Sequence, residues 1–264
     1  MQARVLLRTP TLAASRVHRL SARRAMATMA LQFWAAPVCP YAQRGWIALK
    51  ETGAKHEYKA VDLHNKSPEF VELYRKVVQD PEANAKVPVL VDGELEITES
   101  PVVAEYILNK YGPSTGILPS EPAQLAKARL WADLWGSYVG PAQTAILQAD
   151  TKAKVAEATD KMAAALKVMD AFLRSQGSTE GGAYFLGGRY SIAEVLTTSL
   201  LQRAIVYPKA YRGVDLRQLV KDNKLERFEA WMEAALARPS AQETHPDEAK
   251  LVEHGTKFTK PMQD

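Results

Sequence analysis

The sequence has 264 residues, 47% of them hydrophobic, the composition of a soluble globular protein large enough for one big domain or two of ordinary size. Its net charge of +4 comes from residues 1–29, which hold six arginines (Arg4, Arg8, Arg16, Arg19, Arg23 and Arg24) and no Asp or Glu. The rest of the chain is slightly acidic, so a nucleic-acid partner loses its main support. Cys39 is the only cysteine, which excludes an internal disulfide framework and points to a reducing compartment. No apolar run reaches the roughly 20 residues that span a bilayer, so stable membrane insertion is not expected.

Residues 1–29, with their arginines, scattered Ser and Thr and no secretory apolar block, read as an organellar transit peptide. The alternative is a basic arm. Arginine dominance leans toward the mitochondrion, with the chloroplast as second address, and Met26 and Met29 offer starts for a shorter cytosolic form. From residue 30 to about 112 the pattern is mixed. Leu31 to Ala35 predicts a strand, and Tyr41 to Thr52 a helix with Cys39-Pro40 at its start. Proline at a first helical position loses no needed hydrogen bond, so the sulfur is expected at a helix N-terminus, where free N–H groups and the helix dipole favour a thiolate. A buried, inert thiol is the other reading that position alone leaves open.

Glu57 to Val61 predicts a second strand, and Ser67-Pro68-Glu69 opens a helix with Ser67 as N-cap. Val87 to Val91 and Leu95 to Ile97, joined across Asp92-Gly93, predict a hairpin, and Glu99 to Tyr111 a closing helix. The order β-α-β-α-β-β-α is that of a thioredoxin-like domain. Tyr111 to Gly116 reads as a linker into an all-α domain over 113–240. Helices are expected over 122–149 and 151–175, from Ser191, and over Lys224 to Arg238, which Pro239 stops. Ser191-Ile192-Ala193-Glu194 is a capping box rather than a catalytic serine. Residues 241–264 read as a polar tail without firm structure. His18, His56, His64, His245 and His254 have no metal-ligand spacing, so no metal is expected.

Four local features occur in order: Cys39-Pro40-Tyr41-Ala42-Gln43-Arg44, Val87-Pro88-Val89-Leu90, Glu99-Ser100, and the capping box after Phe185-Leu186-Gly187-Gly188. With this element order they resemble the glutathione transferase superfamily, in its cysteine-type omega and lambda classes. The resemblance implies a thioredoxin-like glutathione-binding domain followed by a helical bundle, and Cys39 as the catalytic group. It implies that a cis Val87-Pro88 bond turns the Val87 backbone toward the cysteinyl amide of glutathione. It further implies that Ser100 and Glu99 hold the γ-glutamyl end, that Lys66 faces the glycyl carboxylate, and that Tyr41 lines the site. Arg44 either pairs with an acid inside the domain or helps bias the thiolate. Trp131, Trp135 and Tyr138, spaced i, i+4 and i+7, are either core or one wall of an electrophile site.

The activity so implied is thiol–disulfide exchange: deglutathionylation, or reduction of a substrate such as dehydroascorbate. Glutathione would be the cosubstrate, a small aromatic or disulfide compound the acceptor, and a homodimer compatible with the family. With no second cysteine, a Cys39–glutathione mixed disulfide has to be resolved by another glutathione. Two alternatives stand beside this. One is a glutathione- or ligand-binding or assembly subunit that keeps the fold without turnover; the other is a glutathione-dependent isomerase, which would call for a serine-rich first loop that this chain lacks.

Overall fold

The structure, a computed structural model, describes residues 30–263; the expected presequence lies outside the described residues. The first half is built on four strands: β1 (Leu31–Ala35), β2 (His56–Ala60), β3 (Val89–Asp92) and β4 (Leu95–Thr98). Their order in the sheet is β2-β1-β3-β4, with β1 parallel to β2 and antiparallel to β3, and β3 antiparallel to β4. Helices α1 (Pro40–Thr52), α2 (Pro68–Val78) and α3 (Ser100–Tyr111) complete a thioredoxin-like α/β domain. The central strand β1 is almost wholly buried, whereas β2, at an edge, alternates polar and apolar residues.

Local chemistry accounts for the boundaries. Ser67 caps α2 by accepting from the Phe70 N–H at 3.3 Å, and Pro68 takes its first turn. The hairpin loop is Gly93–Glu94, one residue later than the Asp-Gly rule predicts, because Asp92 pairs with Leu95 as the last rung of the ladder. Gly93 supplies the positive φ that the turn requires. The Asp92 carboxylate serves α3 instead, accepting from Tyr106 Oη and Tyr111 Oη at 2.7 Å each and from Lys110 Nζ at 2.5 Å.

The second half is helical, as expected: α4 (Pro122–Leu134), α5 (Gly140–Gln148), α6 (Lys152–Gln176), α7 (Ile192–Arg212), α8 (Leu216–Asp222) and α9 (Glu226–Ala237). The capping box at the start of α7 is present and enlarged. The buried Glu194 carboxylate accepts from the N–H groups of Ser191 and Phe185, the Ser191 hydroxyl and Trp231 Nε1, so one acid ties three segments together. The predicted unbroken helix over 122–149 is interrupted by a π-helical turn at Trp135–Val139. The expected polar tail is folded, as α10 (Pro239–Glu243), α11 (Glu248–Gly255) and a 3-10 turn at Thr256–Phe258. Asp247 caps α11, Leu251 is fully buried, and Gly255 lets the helix approach α7, where a Cβ would meet Tyr211 Oη at 2.8 Å.

Burial acts to raise the pKa of Asp92, but the hydrogen bonds from Lys110, Tyr111 and Tyr106 outweigh it and hold the carboxyl below its ordinary range. A pKa depressed in the folded state stabilises above the unfolded value of about 3.9 and ceases to do so as pH falls through the folded value. Asp92→Asn is therefore expected to cost about 1–2 kcal/mol at neutral pH, with the difference from wild type shrinking below about pH 4. Thermal melts of both proteins across that range check this.

Candidate functional site

Sheet register gathers the predicted residues at one end of the sheet. Strands β1 and β2 are parallel, with Ala35 opposite Ala60, so the loop to Cys39 and the loop to Lys66 leave from the same edge. Strand β1 pairs with β3 through Trp34 and Val89, and continuing that register sets Val87 opposite Ala36. Strand β3 pairs with β4 through Val89 and Thr98, so Pro88 and Glu99 follow at the same end, where Thr98 Oγ1 donates to Pro88 O at 2.8 Å. The Val87-Pro88 bond is cis. Cys39, Val87, Pro88, Glu99 and Ser100 thus meet where strands end and helices begin, the place at which open α/β sheets present their ligands.

Cys39 is the N-cap of α1, half-buried, with Pro40 at the first helical position. The Cys39 side chain makes no capping hydrogen bond, but the backbone N–H groups of Ala42 and Tyr41 and the charges of Arg203 and Lys257 all favour its thiolate. Burial outweighs them and pushes the Cys39 thiol up. The expectation that a helix N-terminus lowers this thiol toward neutrality is corrected by that desolvation, because a helix end can do no more than partly offset the loss of water.

Glu99 is exposed and stands at φ 68°, ψ 113°, a backbone conformation that side chains rarely adopt; helix α3 consequently begins at Ser100 rather than at Glu99. Ser100 is buried, and its hydroxyl accepts from Arg44 Nη1 at 3.1 Å. Arg44 forms no ion pair with an acid among the described residues; it donates through Nε to Leu196 O at 2.7 Å and lies against the Tyr41 ring, 5.3 Å from its centroid. Burial lowers its pKa to about 10, so it remains a cation at neutral pH. Lys66 Nζ donates to Asn84 Oδ1 at 2.9 Å at the rim, and Tyr41 is exposed beside the sulfur's loop.

The tryptophan stripe belongs elsewhere. Trp131 and Trp135 are fully buried and form the all-α core with Trp231, Phe185, Phe172 and Phe228; the Trp131 and Trp231 ring centroids lie 4.8 Å apart. Tyr138, by contrast, is 44% exposed. The π turn that starts at Trp135 adds residues to the helical repeat, so i+7 no longer continues the face of i and i+4. The assignment of Trp131 and Trp135 to an electrophile site is corrected accordingly.

The wall beside the Pro37–Val38 segment, just before Cys39, comes instead from the C-terminal tail. A cleft of about 550 Å³ has Pro37 and Val38 on one side, Leu63 and His64 on another, and His254 and Lys257 on the third. Val38 also packs on a small apolar cluster made by Leu147, Tyr207 and Leu251. Burial, with help from Lys257, His64 and Arg203, lowers His254 to about 4, so this wall is neutral imidazole beside a lysine at physiological pH. Arg203, on α7, also escaped sequence reasoning. Its signal was a Gln-Arg pair, Gln202-Arg203, inside the apolar run Leu200 to Val206.

A thioredoxin-like sheet with a helical bundle behind it is the architecture of glutathione transferases. The family model for the glutathione S-transferase N-terminal domain matches residues 33–115. Glutathione S-transferase U22 of Arabidopsis thaliana is 30% identical over 169 residues, which is 64% of this chain and 69% of that protein. Among solved structures, glutathione transferase Omega 2C from Trametes versicolor superposes with a TM-score of 0.69 at 27% identity, over 87% of this chain and 99% of the other. The Tau class glutathione S-transferase of mango, Mangifera indica, shares the fold with a TM-score of 0.71 at 22% identity, again over 87% and 99%. The chain belongs to the glutathione S-transferase superfamily. Among the described residues no group of three His, Cys, Asp or Glu side chains could hold a metal ion.

The tail and the tryptophans should separate cleanly on mutation. Trp131→Ala is expected to cost about 3–5 kcal/mol of stability through the cavity it leaves. Lys257→Ala, at an exposed end, is expected to leave the melting temperature within about 1–2 °C while altering the acceptor KM. Calorimetry and steady-state kinetics of the two variants give both answers.

Proposed function

We propose that this glutathione S-transferase is of the cysteine type and works as a thiol transferase and reductase through Cys39. The observation that carries this reading is Cys39 as the N-cap of α1, with the cis Val87-Pro88 backbone at the same sheet end. Glutathione would lie along Val87, with its γ-glutamyl carboxylate at Ser100 and the α3 N-terminus, its ammonium at Glu99 and its glycyl carboxylate toward Lys66. Tyr41 would cover it. The acceptor would enter the cleft between Val38 and the tail.

The chemistry balances with one thiol. The Cys39 thiolate attacks the glutathionyl sulfur of a mixed disulfide, forms a Cys39–glutathione disulfide and expels the acceptor thiolate. A second glutathione thiolate then attacks that disulfide, releasing oxidised glutathione and regenerating the Cys39 thiolate. A raised thiol pKa suits this cycle in one respect: the thiolate is scarcer at neutral pH but intrinsically more nucleophilic. Dehydroascorbate reduction would use the same site, with glutathione as the source of both electrons.

Cys39→Ser is expected to lower deglutathionylation more than about 1000-fold and to abolish the single glutathione adduct seen by intact mass after treatment with oxidised glutathione. Full turnover in that variant overturns the proposal. Because burial holds the thiol above its ordinary value, the rate at low substrate should climb with unit slope past about pH 8.5 before levelling. We also propose that residues 1–29 address the protein to the mitochondrion. A fusion of those residues to a fluorescent reporter is expected there; a diffuse or plastid signal argues against it.

A further inference from the structure

Arg203 lies on α7, 164 residues beyond Cys39 in sequence, and is only 2% exposed. Every hydrogen bond recorded for its guanidinium goes to a neutral oxygen. Nη2 donates to Val38 O at 3.1 Å and to Pro37 O at 3.4 Å, the two carbonyls directly before Cys39. Nη1 donates to Ser199 O at 3.2 Å, Gln202 Oε1 at 3.4 Å and, in a short contact, Gln43 Oε1. Nε is buried without a partner. A buried guanidinium with no carboxylate is costly, since desolvation of the charge is not offset by an opposite one. What this cation has nearby are the Tyr207 phenol, which stays neutral in the working range, and the half-buried sulfur whose segment its own hydrogen bonds hold.

The structure assigns to Arg203 the role of positioning residue for Cys39: its fork fixes the Pro37–Val38 backbone, and its charge is the counter-ion of the thiolate formed in the reaction. This inference rests on Cys39 being the reacting atom, and it concerns how that atom is kept reactive in spite of burial. Other groups face the sulfur. Lys257 from the tail and Arg44 on α1 are cations, while Tyr207 on α7 and Tyr58 on β2 are phenols that stay neutral in the working range. Among the cations, Arg203 is hydrogen-bonded to the segment that carries the thiol, and it comes from the other domain. The nucleophile's reactivity therefore depends on how the helical half docks against the sheet half.

The test is the pH dependence of Cys39 alkylation by iodoacetamide on the full folded chain, which needs neither glutathione nor an acceptor and so stands apart from the thiol transferase assay. In Arg203→Met the midpoint should move upward and alkylation near neutral pH should slow about tenfold, whereas Arg203→Lys should keep a midpoint close to wild type. Glu51→Gln, which weakens the separate contact of α1 with Arg238, controls for loosening of the interface: its melting temperature falls and its midpoint stays. An unchanged midpoint in Arg203→Met overturns the inference, as does a midpoint raised equally in Arg203→Lys. If Arg203→Met does not fold, Arg203→Gln, neutral but still able to donate to one carbonyl, decides by the same reading: a raised midpoint supports the role and an unchanged one overturns it.

Discussion

Helix α1 is held from below by polar bonds that have no access to water, and the way the Cys39 end of the site sits against the helical half follows from them. Gln43 donates to Gln202 Oε1 at 2.8 Å and to Thr244 Oγ1 at 3.1 Å, while accepting from Arg203. Gln202 in turn donates to Ala241 O at 3.0 Å, and Arg44 reaches Leu196 O. Buried polar groups that lose a partner are expensive, so such a seam admits one arrangement and penalises small displacements. A helix with the proposed nucleophile at its first turn gains from that intolerance. The residues that immediately follow Cys39 in sequence are therefore not spare positions of a motif; they fasten it to α7 and α10.

A second contact reinforces the first at the far end of α1. Arg238 Nε and Nη2 bind both oxygens of Glu51 at 2.8 and 2.6 Å, and Ser240 Oγ adds a third bond at 2.5 Å. The guanidinium also covers the Tyr190 ring, 4.5 Å from its centroid. The two halves are thus clamped at both ends of one helix, with Gly45 between them close under Phe33, where a Cβ would come within 2.8 Å of the ring. Rigid docking of this kind is what the proposed reaction site demands, because it would draw its glutathione end from the sheet half and its counter-ion and tail from the helical half.

Much of this was legible in the sequence where local chemistry decides. Pro40, Ser67-Pro68, the Asp-Gly turn and the Ser191 capping box each state a boundary, and the element bounds of the sheet half followed along the chain to within a residue or two. The end of the sheet at which Cys39, Val87 and Ser100 meet was also legible, through the family resemblance. What failed was anything that depends on what lies opposite. An apolar stripe such as Trp131 and Trp135 has the same spacing whether it faces a core or a ligand. The tail looked polar because α11 buries little more than Leu251 and Gly255, and Pro246 and Pro261 flank its helix instead of breaking it. The thiol's ionisation turned on burial, which no local pattern encodes. Arg203 was visible as a charge in an apolar run, but its partner could not be read without the fold.

The tail has a consequence for the order in which the protein comes into being. Domains of a growing chain fold from the N-terminus first. The sheet half and its cysteine emerge early, with Gln43 and Arg44 still facing solvent and Arg203 not yet made. Lys250 to Lys257, the third wall of the cleft, are made more than two hundred residues after Cys39. The newborn thiol is thus present long before its surroundings, and the site exists in complete form only once the chain has grown past Lys257.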